Sequence, residues 1–118
     1  MVTRSTAFGP TTGTADTQTT IGTAYSFPGS GTIKKIRFCG YIAVVDKAGS
    51  AILYLQFKRL SGPFEFAVSV ADSVTVSTGH ETEEIDVDIG YQVGEEVTVK
   101  VKGSEAIEDM IVSLTLVE

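Results

Sequence analysis

The chain has 118 residues, 42% of them apolar, and a formal net charge of −6. This length accommodates one domain with its own hydrophobic core, and a single cysteine excludes an internal disulfide framework. The net negative charge argues against sequence-independent binding of nucleic acid. No apolar run resembles a secretory signal or reaches the length of a membrane span, so neither is expected.

The charge is unevenly distributed along the chain. Residues 1–60 carry seven basic and two acidic side chains, whereas residues 61–118 carry two basic and thirteen acidic ones. An antiparallel sheet brings distant strands side by side, so we expect part of this charge to be neutralised by cross-strand pairs within one subunit.

The first 31 residues differ from the rest, with nine threonines, five glycines and two prolines. Threonine favours strands, but Gly-Pro pairs interrupt them. We predict an extended N-terminal arm over residues 1–18 and a first strand over 19–27. A disordered tail, an arm ordered against a neighbouring subunit and an arm folded back on its own domain are the alternatives.

After residue 31, apolar and polar residues alternate with a period of two, which is typical of half-buried strands. The predicted strands are 32–45, 50–60, 64–71, a short strand at Val74 and Val76, 82–89, 97–102 and 110–117. Only 103–109 could form a helical turn, capped by Ser104. We therefore predict an all-β fold, with residues 19–118 forming one antiparallel β-sandwich of about eight strands, of the jelly-roll type.

Some side chains opposite the presumed core are apolar. Tyr41 and Val45 on one long strand, and Ile52 and Tyr54 on the next, predict an apolar outer stripe, which often marks a subunit interface. With the aromatic residues of the N-terminal segment, the predicted oligomer interface contains six residues: Phe8, Tyr25, Phe27, Tyr41, Ile52 and Tyr54.

The sequence contains no recognisable catalytic constellation. His80 lies beside Glu81 and Glu83, but a zinc site needs further His or Cys ligands at close spacing, and no nucleophile-elbow motif is present. We predict no catalytic, cofactor-binding or metal-binding residues, and hence no cofactor. Calcium binding by the acidic loop 103–109 is left open, with a solvated acidic surface as the favoured interpretation.

A glycan-binding or other ligand-binding β-sandwich module is the main alternative function. Sugar recognition usually uses exposed aromatic rings, and this chain has no tryptophan. Tyr91 and the aromatic residues of the N-terminal segment are the candidates. A hydrolase or metal-dependent enzyme built on His80 is the third, least favoured hypothesis.

The C-terminal third resembles trimeric jelly-roll domains of the C1q and tumour-necrosis-factor type. Residues 93–99, Val-Gly-Glu-Glu-Val-Thr-Val, are similar to a turn whose usual form is x-x-Gly-Asp-x-Val-x-Val, with Glu95 in place of the aspartate. Gly103-Ser104 matches the following loop, and residues 111–117 resemble the last strand without its usual Phe and Gly. Single jelly rolls with a Thr/Gly-rich arm are also similar to small virion capsid, decoration and spike proteins.

Together these features favour a non-enzymatic structural protein that self-assembles. The resemblance implies a homo-oligomer, with a trimer as the form known in such domains, and contacts with other virion proteins. The expected location is the virion or the cytoplasm. We expect no membrane partner, and nucleic acid is disfavoured as a partner by the net charge.

Overall fold

The computed structural model describes residues 2–42, 47–59, 62–76 and 81–118, with side chains described for residues 2–42, 50–59, 62 and 84–118. The described residues form eight strands: β1 Thr3–Thr11, β2 Gln18–Ser26, β3 Gly31–Tyr41, β4 Lys47–Arg59, β5 Gly62–Val76, β6 Glu81–Tyr91, β7 Glu96–Gly103 and β8 Glu108–Val117. No helix in these residues is long and apolar enough to cross a membrane.

The eight strands form two four-stranded sheets. The first sheet has the order β1-β8-β3-β6 and the second has the order β2-β7-β4-β5. All the paired neighbours are antiparallel. Each sheet therefore combines strands that are distant in sequence, which is consistent with an eight-stranded jelly roll. The predicted antiparallel β-sandwich is confirmed.

The alternating pattern decides which face of each strand is buried. On β4, Leu53, Leu55 and Phe57 are fully buried, while Ile52 just before them and Lys58 just after them are exposed. The same alternation runs through β7 and β8, so the core lies between the two inner faces. Its largest fully buried side chains are Phe27, Phe38, Phe57, Ile21, Ile33, Ile36, Ile42, Leu53, Leu55, Ile107, Met110 and Leu114.

The N-terminal segment differs most from the prediction. Residues 3–11, predicted as part of an extended arm over 1–18, form β1 and pair with β8 from Thr3 opposite Val117 to Thr11 opposite Met110. Phe8 of this strand is buried. β2 lies in the other sheet beside β7. Residues 3–11 are thus an edge strand of the sandwich, because one buried aromatic ring and a ladder of backbone hydrogen bonds hold them there.

Two smaller differences concern strand bounds. Residues 64–71 and the short strand at Val74 and Val76 belong to one continuous strand, β5, and the helical turn considered over 103–109 is a bend followed by the start of β8. The structure thus has the predicted number of strands with one different member: β1 is added, and the short strand at Val74 and Val76 is part of β5. Val45 and His80 lie outside the described residues.

Candidate assembly interface

The six residues predicted to form an oligomer interface do not form one surface. Phe8 and Phe27 are core residues that are 3% and 1% exposed. Tyr25 and Tyr41 are half-buried and pack against the core. The N-terminal aromatic residues were predicted to contact a partner because they precede the regular alternation, but the sandwich uses two of them internally.

Ile52 and Tyr54 lie apart from Tyr41 because β3 and β4 belong to different sheets. The predicted apolar stripe assumed that these two long strands are neighbours in one sheet. In the structure, Tyr41 pairs in register with Glu108 in the first sheet, whereas Ile52 and Tyr54 belong to the second. Ile52 is one of the few large apolar residues that the described part of the chain exposes, at 40%.

The outer face of β4 and β7 is the surface that keeps part of the predicted stripe. We call it the β4–β7 face. In register, Ile52 lies opposite Lys102 and Tyr54 lies opposite Lys100. The face comprises Ile52, Tyr54, Gln56 and Lys58 on β4 and Glu96, Thr98, Lys100 and Lys102 on β7. On this face, Ile52 and Tyr54 of β4 therefore lie beside two lysines of β7.

Among the described side chains of the β4–β7 face, lysines outnumber carboxylates. Lys58 Nζ lies 3.8 Å from Glu96 Oε2, which offsets one charge. Neither Lys100 nor Lys102 forms an ion pair with any side chain in the part of the chain that the structure describes. A partner bearing carboxylates would therefore complement this face.

The opposite sign of charge accumulates at one end of the sandwich, which we call the acidic end. It consists of the β1–β2 loop, residues 12–17, and residues 103–109 between β7 and β8. These segments hold four carboxylates and no lysine or arginine: Asp16, Glu105, Glu108 and Asp109. Backbone hydrogen bonds join them, from Gly13 N–H to the Ile107 carbonyl and from Asp16 N–H to the Gly103 carbonyl, each 2.8 Å.

Three acidic side chains of β6 that the structure describes, Glu84, Asp86 and Asp88, are paired with bases of β3. Lys34 Nζ lies 2.7 Å from Asp88 Oδ1, and Lys35 Nζ lies 3.2 Å from Glu84 Oε1. Arg37 also faces Glu84, at 3.8 Å. The expected cross-strand neutralisation of part of the charge is confirmed by these pairs.

At the end of the sandwich that holds the β6–β7 turn, aromatic rings fill the core. Phe27 lies just beyond β2 and stacks on Tyr91 with ring centroids 4.0 Å apart. Tyr91 is 3% exposed, and its hydroxyl donates to Glu118 Oε2 at 3.2 Å. Burial, and then the charge of Glu118, raise the pKa of Tyr91 to about 12. A ring buried in this way cannot present a face to a sugar, so Tyr91 does not serve as a glycan platform.

A buried ion pair lies beside these rings. Glu95 is 4% exposed. Its Oε1 accepts hydrogen bonds from Arg59 Nη1 at 3.1 Å and from the Gln92 backbone N–H at 2.8 Å. Arg59 Nη1 also donates to the Gly90 carbonyl, and its guanidinium carbon lies 4.3 Å from the Phe57 ring centroid. The pair thus joins the end of β4 to the β6–β7 turn.

This ion pair was not predicted, although the alternation of core-facing residues in the sequence indicates it in part. Glu95 is two residues before Val97 and four before Val99, so it belongs to the same core-facing series. Arg59 is two residues after Phe57 and belongs to the core-facing series of β4. Lys58 lies opposite Glu96 in register, so the two inward positions beyond them are neighbours. Opposite charges at adjacent core-facing positions predict a buried ion pair.

No group of three or more His, Cys, Asp or Glu residues that could hold a metal ion occurs among the described residues. A shallow groove of about 220 Å³ between β1 and β2 is lined by Thr6–Gly9 and Gly22–Tyr25. It contains no carboxylate, histidine or cysteine, and Cys39 is half-buried elsewhere, on β3.

Comparison with known proteins adds a likeness of fold. No model of a known protein family matches the sequence, and no curated protein matches it. A chain in a solved structure of infectious bursal disease virus, Gx strain, is similar over 98% of this chain, with a TM-score of 0.57 and 11% sequence identity. The chain spans about a third (33%) of the length of that viral chain. At this identity the likeness establishes a shared β-sandwich fold.

Proposed function

We propose that this chain is a non-enzymatic structural subunit of a virion, acting as a capsid, decoration or spike protein that assembles with copies of itself. The observation that carries the proposal is the similarity of nearly the whole chain to part of a chain in a virus structure. Function argued from a shared fold is an analogy, so the proposal also needs support from the surface.

The surface supports assembly in two ways. The β4–β7 face exposes Ile52 and leaves Lys100 and Lys102 without ion-pair partners among the described residues. Protein–protein interfaces combine apolar side chains with polar and charged ones around them. We infer that Ile52 and Tyr54 are the members of the predicted interface that contact a partner, and that the partner is another copy of the chain.

Sedimentation velocity of the purified protein at micromolar concentrations tests the proposal. The 12.5 kDa chain should sediment as a larger species whose proportion rises with concentration. Ile52→Ser should shift the distribution towards the monomer, because it removes an exposed apolar side chain from the face.

Val93→Ser is the matched control, since Val93 is 55% exposed in the β6–β7 turn and does not belong to the β4–β7 face. This substitution should leave the distribution unchanged. A wild-type protein that remains monomeric at every concentration would contradict the proposed function. Binding to an immobilised glycan by such a monomer would favour the alternative, a ligand-binding module.

A further inference from the structure

The strands at the edges of the two sheets differ in how far their sequences protect them from pairing with another chain. The edges are β1 and β6 in the first sheet and β2 and β5 in the second. An edge strand exposes unpaired backbone N–H and C=O groups, and proteins commonly protect it with charged residues, proline or a bulge. Three of these edges contain charged residues or proline: Arg4 and Pro10 in β1, Pro63, Glu65 and Asp72 in β5, and five acids in β6.

The fourth edge strand, β2, has neither charge nor proline. Its sequence from Gln18 to Ser26 is Gln-Thr-Thr-Ile-Gly-Thr-Ala-Tyr-Ser. Ile21 is the one fully buried residue of this strand, and six of its nine residues are exposed. The strand therefore presents an uncharged edge of mostly small and hydroxyl-bearing side chains, which do not oppose pairing with another strand.

A bulge interrupts β2 but leaves part of its edge regular. Gln18–Ile21 pair in register with β7, and the ladder resumes at Tyr25. Residues 22–24 lie outside this register, and with Tyr25 they line the open groove between β1 and β2. Gly22 N–H donates to Thr11 Oγ1 at 3.3 Å, which holds the bulge against β1. The bulge can protect its own three residues, but the four residues before it keep the extended geometry that strand pairing needs.

A second copy of β2 is a suitable partner for this edge because of its charge. An uncharged strand that pairs with itself across a two-fold axis meets no like charge, and threonines on facing strands can exchange hydrogen bonds. The lysines of β7 stay apart, because the two β2 strands lie between the two copies of β7. Three strand spacings of about 4.8 Å separate these copies by about 14 Å. This distance exceeds the screening length of about 8 Å at physiological ionic strength.

We propose that two copies of the chain pair edge to edge through β2, antiparallel across a two-fold axis, which joins their second sheets into one eight-stranded sheet. The inference rests on the proposed function, since it specifies one contact of the self-assembly. The contact is isologous and closes as a dimer. The β4–β7 face stays free in this dimer, so contacts through Ile52 and Tyr54 can join dimers into larger assemblies.

Sedimentation velocity of a chain that carries Ile52→Ser tests the pairing. This substitution weakens the contact of the β4–β7 face, so the remaining species should be a dimer of the 12.5 kDa chain. Raised salt should leave this dimer in place, because β2 carries no charge to be screened. Adding Thr20→Lys should raise its dissociation constant at least about tenfold, because like charges then face each other on paired strands. Val93→Lys adds the same charge in the exposed β6–β7 turn and should leave the dissociation constant unchanged.

A mixing experiment excludes misfolding as the cause of dissociation. A fluorescently labelled chain with Ile52→Ser and Thr20→Lys should stay monomeric when it is mixed with unlabelled copies of itself. It should enter a dimer when it is mixed with a chain that carries Ile52→Ser and Thr20→Glu, because opposite charges then meet across the two strands. A misfolded chain would not recover its association in this way.

Hydrogen exchange distinguishes strand pairing from a contact between side chains. Backbone amides on the outer side of β2 should exchange more slowly in the Ile52→Ser dimer than in the Thr20→Lys form, because pairing gives them hydrogen bonds. A monomeric Ile52→Ser chain, or a dimer that is indifferent to Thr20→Lys or leaves exchange across residues 18–26 unchanged, would overturn this inference while a wild-type oligomer keeps the proposed function standing. A wild-type monomer would overturn the proposed function and this inference with it.

Discussion

The buried pair of Arg59 and Glu95 provides the sharpest test of how the sandwich is held together. The side chain of Glu95 is 5% exposed and that of Arg59 is 20% exposed, and they meet at 3.1 Å. Arg59→Met keeps an apolar stem beside Phe57 but removes the cation. Glu95 would then be a buried carboxylate that has lost its hydrogen bond from Arg59 and keeps the one from the Gln92 backbone N–H.

Breaking one side of a buried ion pair costs about 3–5 kcal/mol of unfolding free energy. Water reaches the partly exposed guanidinium, which places Arg59→Met near the lower end of that range, at about 3 kcal/mol. Glu95→Gln keeps an acceptor and leaves a cation that water can reach, so we expect a loss of about 1–2 kcal/mol. The double variant should lose less than the sum, with a coupling energy of about 1–2 kcal/mol.

Urea unfolding at one fixed protein concentration measures these differences, because association makes apparent stability depend on concentration. The neighbouring pair is the matched control: Lys58 and Glu96 are 81% and 38% exposed and lie 3.8 Å apart. Lys58→Met should cost about 0.5 kcal/mol or less. If Arg59→Met costs no more than Lys58→Met, the argument from burial is wrong.

Three further outcomes follow from the same structure. Phe27→Ala removes a ring stacked on Tyr91 and should cost about 3–5 kcal/mol in urea unfolding. The pKa of Tyr91 is raised to about 12 from 10.0. The stability that the protonated hydroxyl contributes is therefore complete below pH 10 and is lost as the pH rises through 12. An absorbance titration at 295 nm should show a tyrosine ionisation step near pH 12, and Tyr91→Phe should lack this step. Lys35→Ala should cost about 1 kcal/mol or less in urea unfolding, because its carboxylate partners Glu84 and Asp86 are 46% and 88% exposed to water.

The alternation of apolar and polar residues was sufficient to predict most of the sandwich. Leu53, Leu55 and Phe57 on β4, and Val97 and Val99 on β7, are buried as their period of two indicated. That cross-strand pairs neutralise part of the charge also followed from the sequence, although which strands pair, here β3 with β6, did not.

β1 could not be recognised in the same way. Phe8 is its one fully buried residue, so the strand lacks the repeated apolar positions that reveal a half-buried strand. The Gly9-Pro10 pair near the end of β1 also predicts an interruption of the strand. β5 was divided for a related reason, since Asp72 and Ser73 interrupt the alternation while the backbone ladder with β4 continues.

The candidate interface was predicted only in part because the sequence of a single strand does not show which of the two sheets the strand joins. Consecutive long strands such as β3 and β4 can pair or can cross to the opposite sheet, and their residue patterns are the same in both cases. Tyr41 was therefore grouped with Ile52 and Tyr54. The alternation along β7 was enough to predict that Glu95 points towards the core. Predicting Arg59 as its partner also required the register between β4 and β7.

The mass of the unmodified protein in solution tests the central claim most directly. Multi-angle light scattering at micromolar concentration and low salt should give a multiple of 12.5 kDa that falls as salt is raised. A mass of one chain at every concentration and salt level would contradict the account of this protein as a self-assembling structural subunit.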